Sequence, residues 1–291
     1  MAGELRRIPF QKMLNDFPLQ VIRLTELGAH SSFVPHRHAF YMLFWTISGT
    51  GLHRINYREY ELLPGTVFFM HEGQVHQMVE YPEDGYVVLF KQRLLDDYLH
   101  YYPHDEQNGL FDFFNRQPFV VLNEHLRALY EALIPLTAKD AVSEPFGRSV
   151  NFDLSVLLFQ TNRLFLAPRP VQDNLQTDTL RKLRILINTH FRTERDAPFY
   201  ARQLGLPTRK LNEITRTHYG KLVKRLLSDR LLTEAEALLG GTNMLVKEII
   251  IELNFADNAH FAYFFRKERK MTPSAFRKIM HGLQQDRTRS L

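Results

Sequence analysis

The sequence contains no cysteine, which excludes disulfides and thiol catalysis and fits an intracellular protein without requiring one. No run of about 18 uncharged apolar residues occurs, so no membrane span is expected. The opening stretch, MAGELRRIPFQKML, has two arginines but neither a long apolar core nor a clear small-residue cleavage site. That is a poor secretory signal, and a cytoplasmic location is expected. No repeat at solenoid period is present. What remains is ordinary globular material. At 291 residues, with 44% hydrophobic and 24% charged side chains, the chain is long enough for two domains.

Charge divides the chain. Residues 1–177 hold 15 Lys and Arg against 20 Asp and Glu, a net of −5; residues 178–291 hold 22 against 12, a net of +10; together they give the overall +5. A basic half beside an acidic half points to a polyanion partner for the basic half only.

From about residue 17 to 90, short runs rich in Val, Ile, Phe and Tyr alternate with turn residues. LQVIRL, YMLFWTI, GTVFFM and GYVVLF are examples, and they predict many short strands in a barrel or sandwich. Beyond Arg93 the spacing turns helical: Leu94, Leu95, Tyr98 and Leu99; then Leu122, Leu126, Leu129 and Leu133; then Leu154, Leu157, Leu158 and Phe165. The run from Leu154 to Phe165 is apolar on more than one side. It predicts either a dimer face or a helix packed within its own domain. Ala167-Pro168-Arg169-Pro170 and the polar residues to Thr177 predict a linker. The expected division is therefore 1–167, a linker at 168–177, an all-helical domain at 178–283 and a tail at 284–291.

The basic half contains two helix-turn-helix patterns in tandem. In the first, Pro198 suits an early helix position, Gly205 marks the turn, and Thr208 is the expected cap of a second helix. Leu211 and Ile214 face inward, leaving Arg209, Lys210, Asn212, Glu213 and Arg216 outward. In the second, Val246, Ile249, Ile250 and Leu253 recur at helical spacing, Asp257 is the expected cap, and Phe261, Phe264 and Phe265 face the core. Asn258, Ala259, His260 and Tyr263 lie on the exposed side. Lys221 to Leu239 reads as one long helix, a spacer between two segments that would address neighbouring stretches of major groove.

These residues resemble the AraC/XylS family of transcription regulators over the last ~100 positions. The most specific matches are Phe255-Ala256-Asp257, His260-Phe261, Phe265-Arg266-Lys267 and Met271-Thr272-Pro273-Ser274-Ala275-Phe276-Arg277. The family signature Gly-x-Thr-Pro-x-x-Phe-Arg meets Lys270 in place of its glycine; Asn254 and Ile250 replace a usual glycine and alanine, and Thr215 a common aromatic. The resemblance implies that Arg209, Asn212 and Glu213, and in the second unit Asn258, Ala259 and Tyr263, meet base edges. Their chemistry supports some of this: arginine pairs with guanine, asparagine with adenine, and glutamate with the cytosine amine. His260 is a further candidate, to base or phosphate. Arg216, Lys221, Lys267 and Lys270 are expected at phosphates, which position without specifying sequence.

In the acidic half, Pro35-His36-Arg37-His38, Ile47-Ser48-Gly49-Thr50-Gly51, Leu63-Pro64-Gly65 and Gln74-Val75-His76 resemble a cupin barrel, as found ahead of many such DNA-binding domains. His36, His38 and His76 match the histidines of metal-binding cupins, but Met42 fills the carboxylate position. A metal-free barrel with no cofactor is expected, its mouth binding a small organic effector. Candidate effector contacts are His36, His38, Tyr41, Phe44, Trp45, Phe69 and His76.

The resulting expectation is an α+β chain: a cupin-like β-barrel with flanking helices, followed by an all-α domain of two helix-turn-helix units. It implies a non-enzymatic, homodimeric regulator that binds double-stranded DNA and contacts RNA polymerase, with activation the commoner outcome in the family. Two rivals stand beside it. One is a metal-dependent cupin enzyme with an accessory nucleic-acid-binding domain. The other is a DNA-binding protein whose barrel serves only dimerisation.

Overall fold

The structure is a computed structural model that describes residues 10–11, 18–26, 35–102, 105, 109–111, 117–143, 148–166 and 174–288. The chain divides into two compact units, one built on residues 10–32 and 37–172, the other on 173–291 together with 1–9 and 33–36.

The first unit is mainly β. Its strands are β1 (Phe10–Gln11), β2 (Leu19–Arg23), β3 (Arg37–His38), β4 (Tyr41–Ser48), β5 (Gly51–Ile55), β6 (Arg58–Leu62), β7 (Thr66–Met70), β8 (His76–Glu80), β9 (Asp84–Phe90) and β10 (Phe119–Val121). Five form an antiparallel sheet in the order β10-β7-β4-β9-β2; three more form a second, β6-β5-β8; β1 and β3 pair in parallel. Helices α1 (Gln92–Tyr101), α2 (Glu124–Ser143) and α3 (Arg148–Leu166) complete it.

The near-continuous apolar strands have a simple cause: the five-stranded sheet is buried on both faces. Because side chains alternate along a strand, Met42, Phe44, Phe68, Met70, Val87 and Leu89 point one way. There they share a core with Ile55, Leu62 and Met78 of the three-stranded sheet. Leu43, Trp45, Val67, Phe69, Val88 and Phe90 point the other way, into a second core with α1, α2 and α3. Leu154, Leu157 and Leu158 of α3 are each 1% exposed in that second core. Much of the apolar run considered as a dimer face is therefore packed inside its own unit, and Phe152, 70% exposed, is the large apolar side chain that α3 leaves exposed.

The second unit is all helix: α4 (Asn174–His190), α5 (Ala197–Gln203), α6 (Thr208–Tyr219), α7 (Val223–Gly241), α8 (Val246–Glu252), α9 (Asn258–Arg269) and α10 (Pro273–Thr288). Helix α4 opens at Asn174, so 174–177 is helical rather than linker; 168–173 lies outside the described residues. The expected long spacer is α7, displaced by two residues to Val223–Gly241.

Candidate nucleic-acid interface

Helices α5 and α6 form the first helix-turn-helix unit, α8 and α9 the second, and each packs on α7. The turn geometry repeats. Helix α5 ends through Gly205 (φ 65°) and α8 through Asn254 (φ 53°), with Leu206 N–H donating to Ala201 O and Phe255 N–H to Ile250 O, each at 2.9 Å. These are left-handed helix ends that return the chain into the next helix. The reading helices end alike, α6 at Gly220 (φ 65°) and α9 at Lys270 (φ 59°). The two positions at which the family glycines are missing, Asn254 and Lys270, thus keep the glycine conformation with side chains that tolerate it less well.

Asp257 caps α9 as expected, accepting from His260 N–H at 2.7 Å. Helix α6 departs from expectation. Its cap residue is Pro207 with no side-chain cap bond, and Thr208 is the first helical residue.

The outward face of α6 carries Arg209, Lys210, Glu213, Arg216 and Thr217, all exposed. That of α9 carries Asn258, Ala259, His260, Tyr263 (66% exposed), Arg266 and Lys267, with Lys270 exposed beyond it. Two sequence-based assignments change. Asn212 is half-buried and its Oδ1 accepts the Val223 backbone N–H at 3.1 Å, so it caps the first residue of α7. Bidentate adenine reading needs that same oxygen. Lys221 is ion-paired to Asp229 of α7, and its charge is spent inside the domain. Glu213 is exposed but bonded to Lys210 at 3.2 Å.

Other cations are committed likewise. Arg225 joins Asp229 at 2.8 Å and Glu268 at 2.7 Å; Arg230 and Arg192 bind the buried Glu234 at 2.9 and 3.1 Å; Arg269 pairs with the buried Glu236. Although burial pulls the Arg225 pKa down, Asp229 and Glu268 raise it above its ordinary value. Among the described residues, Arg209, Arg216, Arg266, Lys267 and Lys270 are the cations of the reading helices and their ends that enter no ion pair. Arg266 was not singled out from the sequence. Its equivalence to Arg216, four residues before the left-handed residue in each unit, is the signal that would have found it.

In the β unit, the geometry brings His53, not singled out from the sequence, together with His38 and His76. His53 Nε2 and His76 Nδ1 are 2.9 Å apart, the His38 and His76 rings are centred 4.9 Å apart, and all three residues are buried. His38 Nδ1 lies 2.7 Å from Phe40 O. His36 is also buried. Tyr41 and Trp45, proposed with Phe69 as effector contacts, lie on the helix-packed side of the sheet, Trp45 against Tyr86 and Tyr130. Phe44 is the aromatic of β4 that enters the inter-sheet core, 6.0 Å from His53. Among the described residues, no group of three His, Asp or Glu side chains is arranged to hold a metal ion.

Residues 20–160 match the family described as AraC-like ligand binding domain, and residues 200–279 match one described as helix-turn-helix domain.

The chain belongs to the AraC family of transcription regulators.

It is a sequence-specific DNA-binding regulator with an effector-binding domain. Among relatives in this family, the HTH-type transcriptional activator RhaS of Escherichia coli O6:H1 is 25% identical over 262 residues, covering 88% of this chain and 91% of the relative. RhaS of Escherichia coli O127:H6 matches to the same extent. Among solved structures, unsaturated-fatty-acid-bound ToxT from Vibrio cholerae aligns with a TM-score of 0.48 at 14% identity, over 91% of this chain and 96% of that one.

Proposed function

We propose that this AraC-family chain is a cytoplasmic, homodimeric activator, switched by a small organic effector and contacting RNA polymerase once bound. The observation that carries the reading is the distribution of charge on the helical unit. Cations that pack against α7 are paired with Asp229, Glu234, Glu236 and Glu268, while among the described residues of the two exposed reading faces Arg209, Arg216, Arg266 and Lys267 enter no ion pair and Lys210 pairs only with its neighbour Glu213. Base contacts are assigned to Arg209 and Glu213 in the first unit and to Asn258, Ala259 and Tyr263 in the second. Arg216, Arg266, Lys267 and Lys270 are assigned to phosphates and His260 to either. The two faces address major-groove segments about 10–10.5 bp apart.

The effector site is assigned to the cupin-like inter-sheet core around His38, His53 and His76, a polar group in otherwise apolar surroundings. A ligand that prefers one state of this domain shifts the fraction of protein competent for DNA. The chain is read as a regulator without catalytic activity. Selection of random DNA fragments by the purified protein, followed by sequencing, tests this reading. A motif with two segments one helical turn apart supports it. A folded protein that enriches nothing, with and without candidate effectors, refutes it.

A further inference from the structure

Two ends of α9 are held by different partners. Its last turn is tied to α7, since Glu268 bonds Arg225 at 2.7 Å and Arg269 bonds Glu236. Its entry is held from elsewhere. Arg195, in the segment leading into α5, donates from Nη2 to the Asn254 carbonyl at 2.8 Å and to the Leu253 carbonyl. Those carbonyls stand at the C-terminal end of α8, where a cation is favoured by the helix dipole. The guanidinium also lies 4.1 Å from the centroid of the Phe255 ring, and Phe255 packs edge-on against Phe261 of α9 at 5.1 Å. The backbone next to Arg195 is tied to the first unit, where the buried Tyr200 of α5 donates its hydroxyl to the Glu194 carbonyl at 2.8 Å. Burial lowers the pKa of Arg195, the desolvation that such a half-buried cation bears.

The covalent route between the units is short. It leaves the C-terminal end of α7 at Gly241 and reaches α8 at Val246 through residues 242–245. If loss of the Arg195 contacts loosened its entry, α9 would tilt about the last turn that Arg225 and Glu236 hold. Twelve residues at 1.5 Å per residue give a lever of about 18 Å, so a tilt of about 10° moves the entry by about 3 Å, close to one base-pair step. Asn258, Ala259 and Tyr263 lie towards that moving end.

We propose that Arg195 is the positioning residue that holds the second reading helix at a fixed separation and phase from the first, and so makes the protein selective for the spacing between its two DNA segments. The inference rests on the two-segment DNA reading above. Its test uses the full chain and the site obtained by random selection, remade with the spacer shortened or lengthened by one base pair. Wild-type protein is expected to lose about tenfold or more in affinity on either altered spacer, the scale of one mismatched base pair. Arg195→Met is expected to lose less than about threefold between the three spacers. Phe255→Leu keeps an apolar side chain but removes the ring beneath the guanidinium. It is expected to relax spacing in the same way, and it serves if Arg195→Met does not fold. The double variant should relax spacing no further than either single one.

An equal loss on all three spacers would overturn the proposal and make Arg195 a phosphate contact or a contributor to stability alone. An unchanged wild-type spacing profile in a folded variant would overturn it as well. Failure of the wild-type protein to select any two-segment site would instead refute the DNA reading, a result seen before any variant is made.

Discussion

Asn212 separates structural from base-reading roles most cleanly, because its two expected fates have opposite signatures. Its Oδ1 accepts the N–H of Val223, a fully buried residue at the start of α7. Truncation to alanine removes a cap worth about 1 kcal/mol and strands a buried donor, which costs about 1–3 kcal/mol. These overlap, so the expected loss for Asn212→Ala is about 1–3 kcal/mol. In a helical unit of this size that lowers its thermal midpoint by about 4–8 °C per kcal/mol. Asn212→Asp keeps an acceptor at the same place and sets a negative charge at the N-terminus of α7, where the dipole favours it. It should stay within about 0.5 kcal/mol of wild type. The assay is thermal or urea unfolding followed by far-ultraviolet circular dichroism, paired with DNA selection at a temperature where all variants are folded. Ala should retain the wild-type motif; Asp should retain it with uniformly weaker binding from the added charge. An adenine reader behaves otherwise. Both variants would relax one base position by about 1–3 kcal/mol, since aspartate cannot donate to adenine N7. Motif change at one adenine with an unchanged unfolding midpoint would refute the capping role.

Arg209→Ala should cost about 1–3 kcal/mol on the selected site and relax one base position; equal weakening on all sequences would move Arg209 to the phosphates. With four cations assigned to phosphates, log affinity should fall against log salt with a slope of about −3.5 to −4 per chain. Lys267→Ala should flatten that slope by about one unit. Lys221→Ala, whose charge is held by Asp229, should leave it unchanged, and a flattened slope there would break that assignment. Lys270→Gly relieves a left-handed residue that costs about 1 kcal/mol or more, partly offset by glycine's freer unfolded chain, so a net gain of about 0.5 kcal/mol is expected in denaturant unfolding. Loss of stability would show that Lys270 makes compensating contacts. His281 has its pKa lowered from 6.5 by burial and by Arg277, against hydrogen bonds it donates to the backbone of Leu239 and Thr242 that raise it. The unfolded state then binds the extra proton, so its contribution is present above pH 6.5 and lost as pH falls towards the lowered folded value. His281→Gln should therefore lose less stability than wild type between pH 7.5 and about 5, and equal losses would exclude this histidine.

Short-range rules made much of this chain legible without coordinates. The strand runs before Phe90, the helices after Arg93, the turn at Gly205 and the Asp257 cap all depend on residues within a turn or a strand repeat of one another. The sign of the helical half's charge needed no fold at all. Tertiary structure decided what depends on residues far apart in the chain. The alternation of β4 was visible, but which face meets the helices was not, because both faces are apolar and buried; that assigned Phe44 to the inter-sheet core and Trp45 away from it. His53 joins His38 and His76 because the pairing of β5 with β8 carries it to His76, 23 residues on. An outward asparagine and an outward lysine look alike in a helical pattern whether they face DNA or another helix. Only the placement of α7 shows that Asn212 and Lys221 already have partners in Val223 and Asp229. Periodicity fixes which face of a helix turns outward; long-range pairing alone determines which polar groups on that face are left free to meet a ligand.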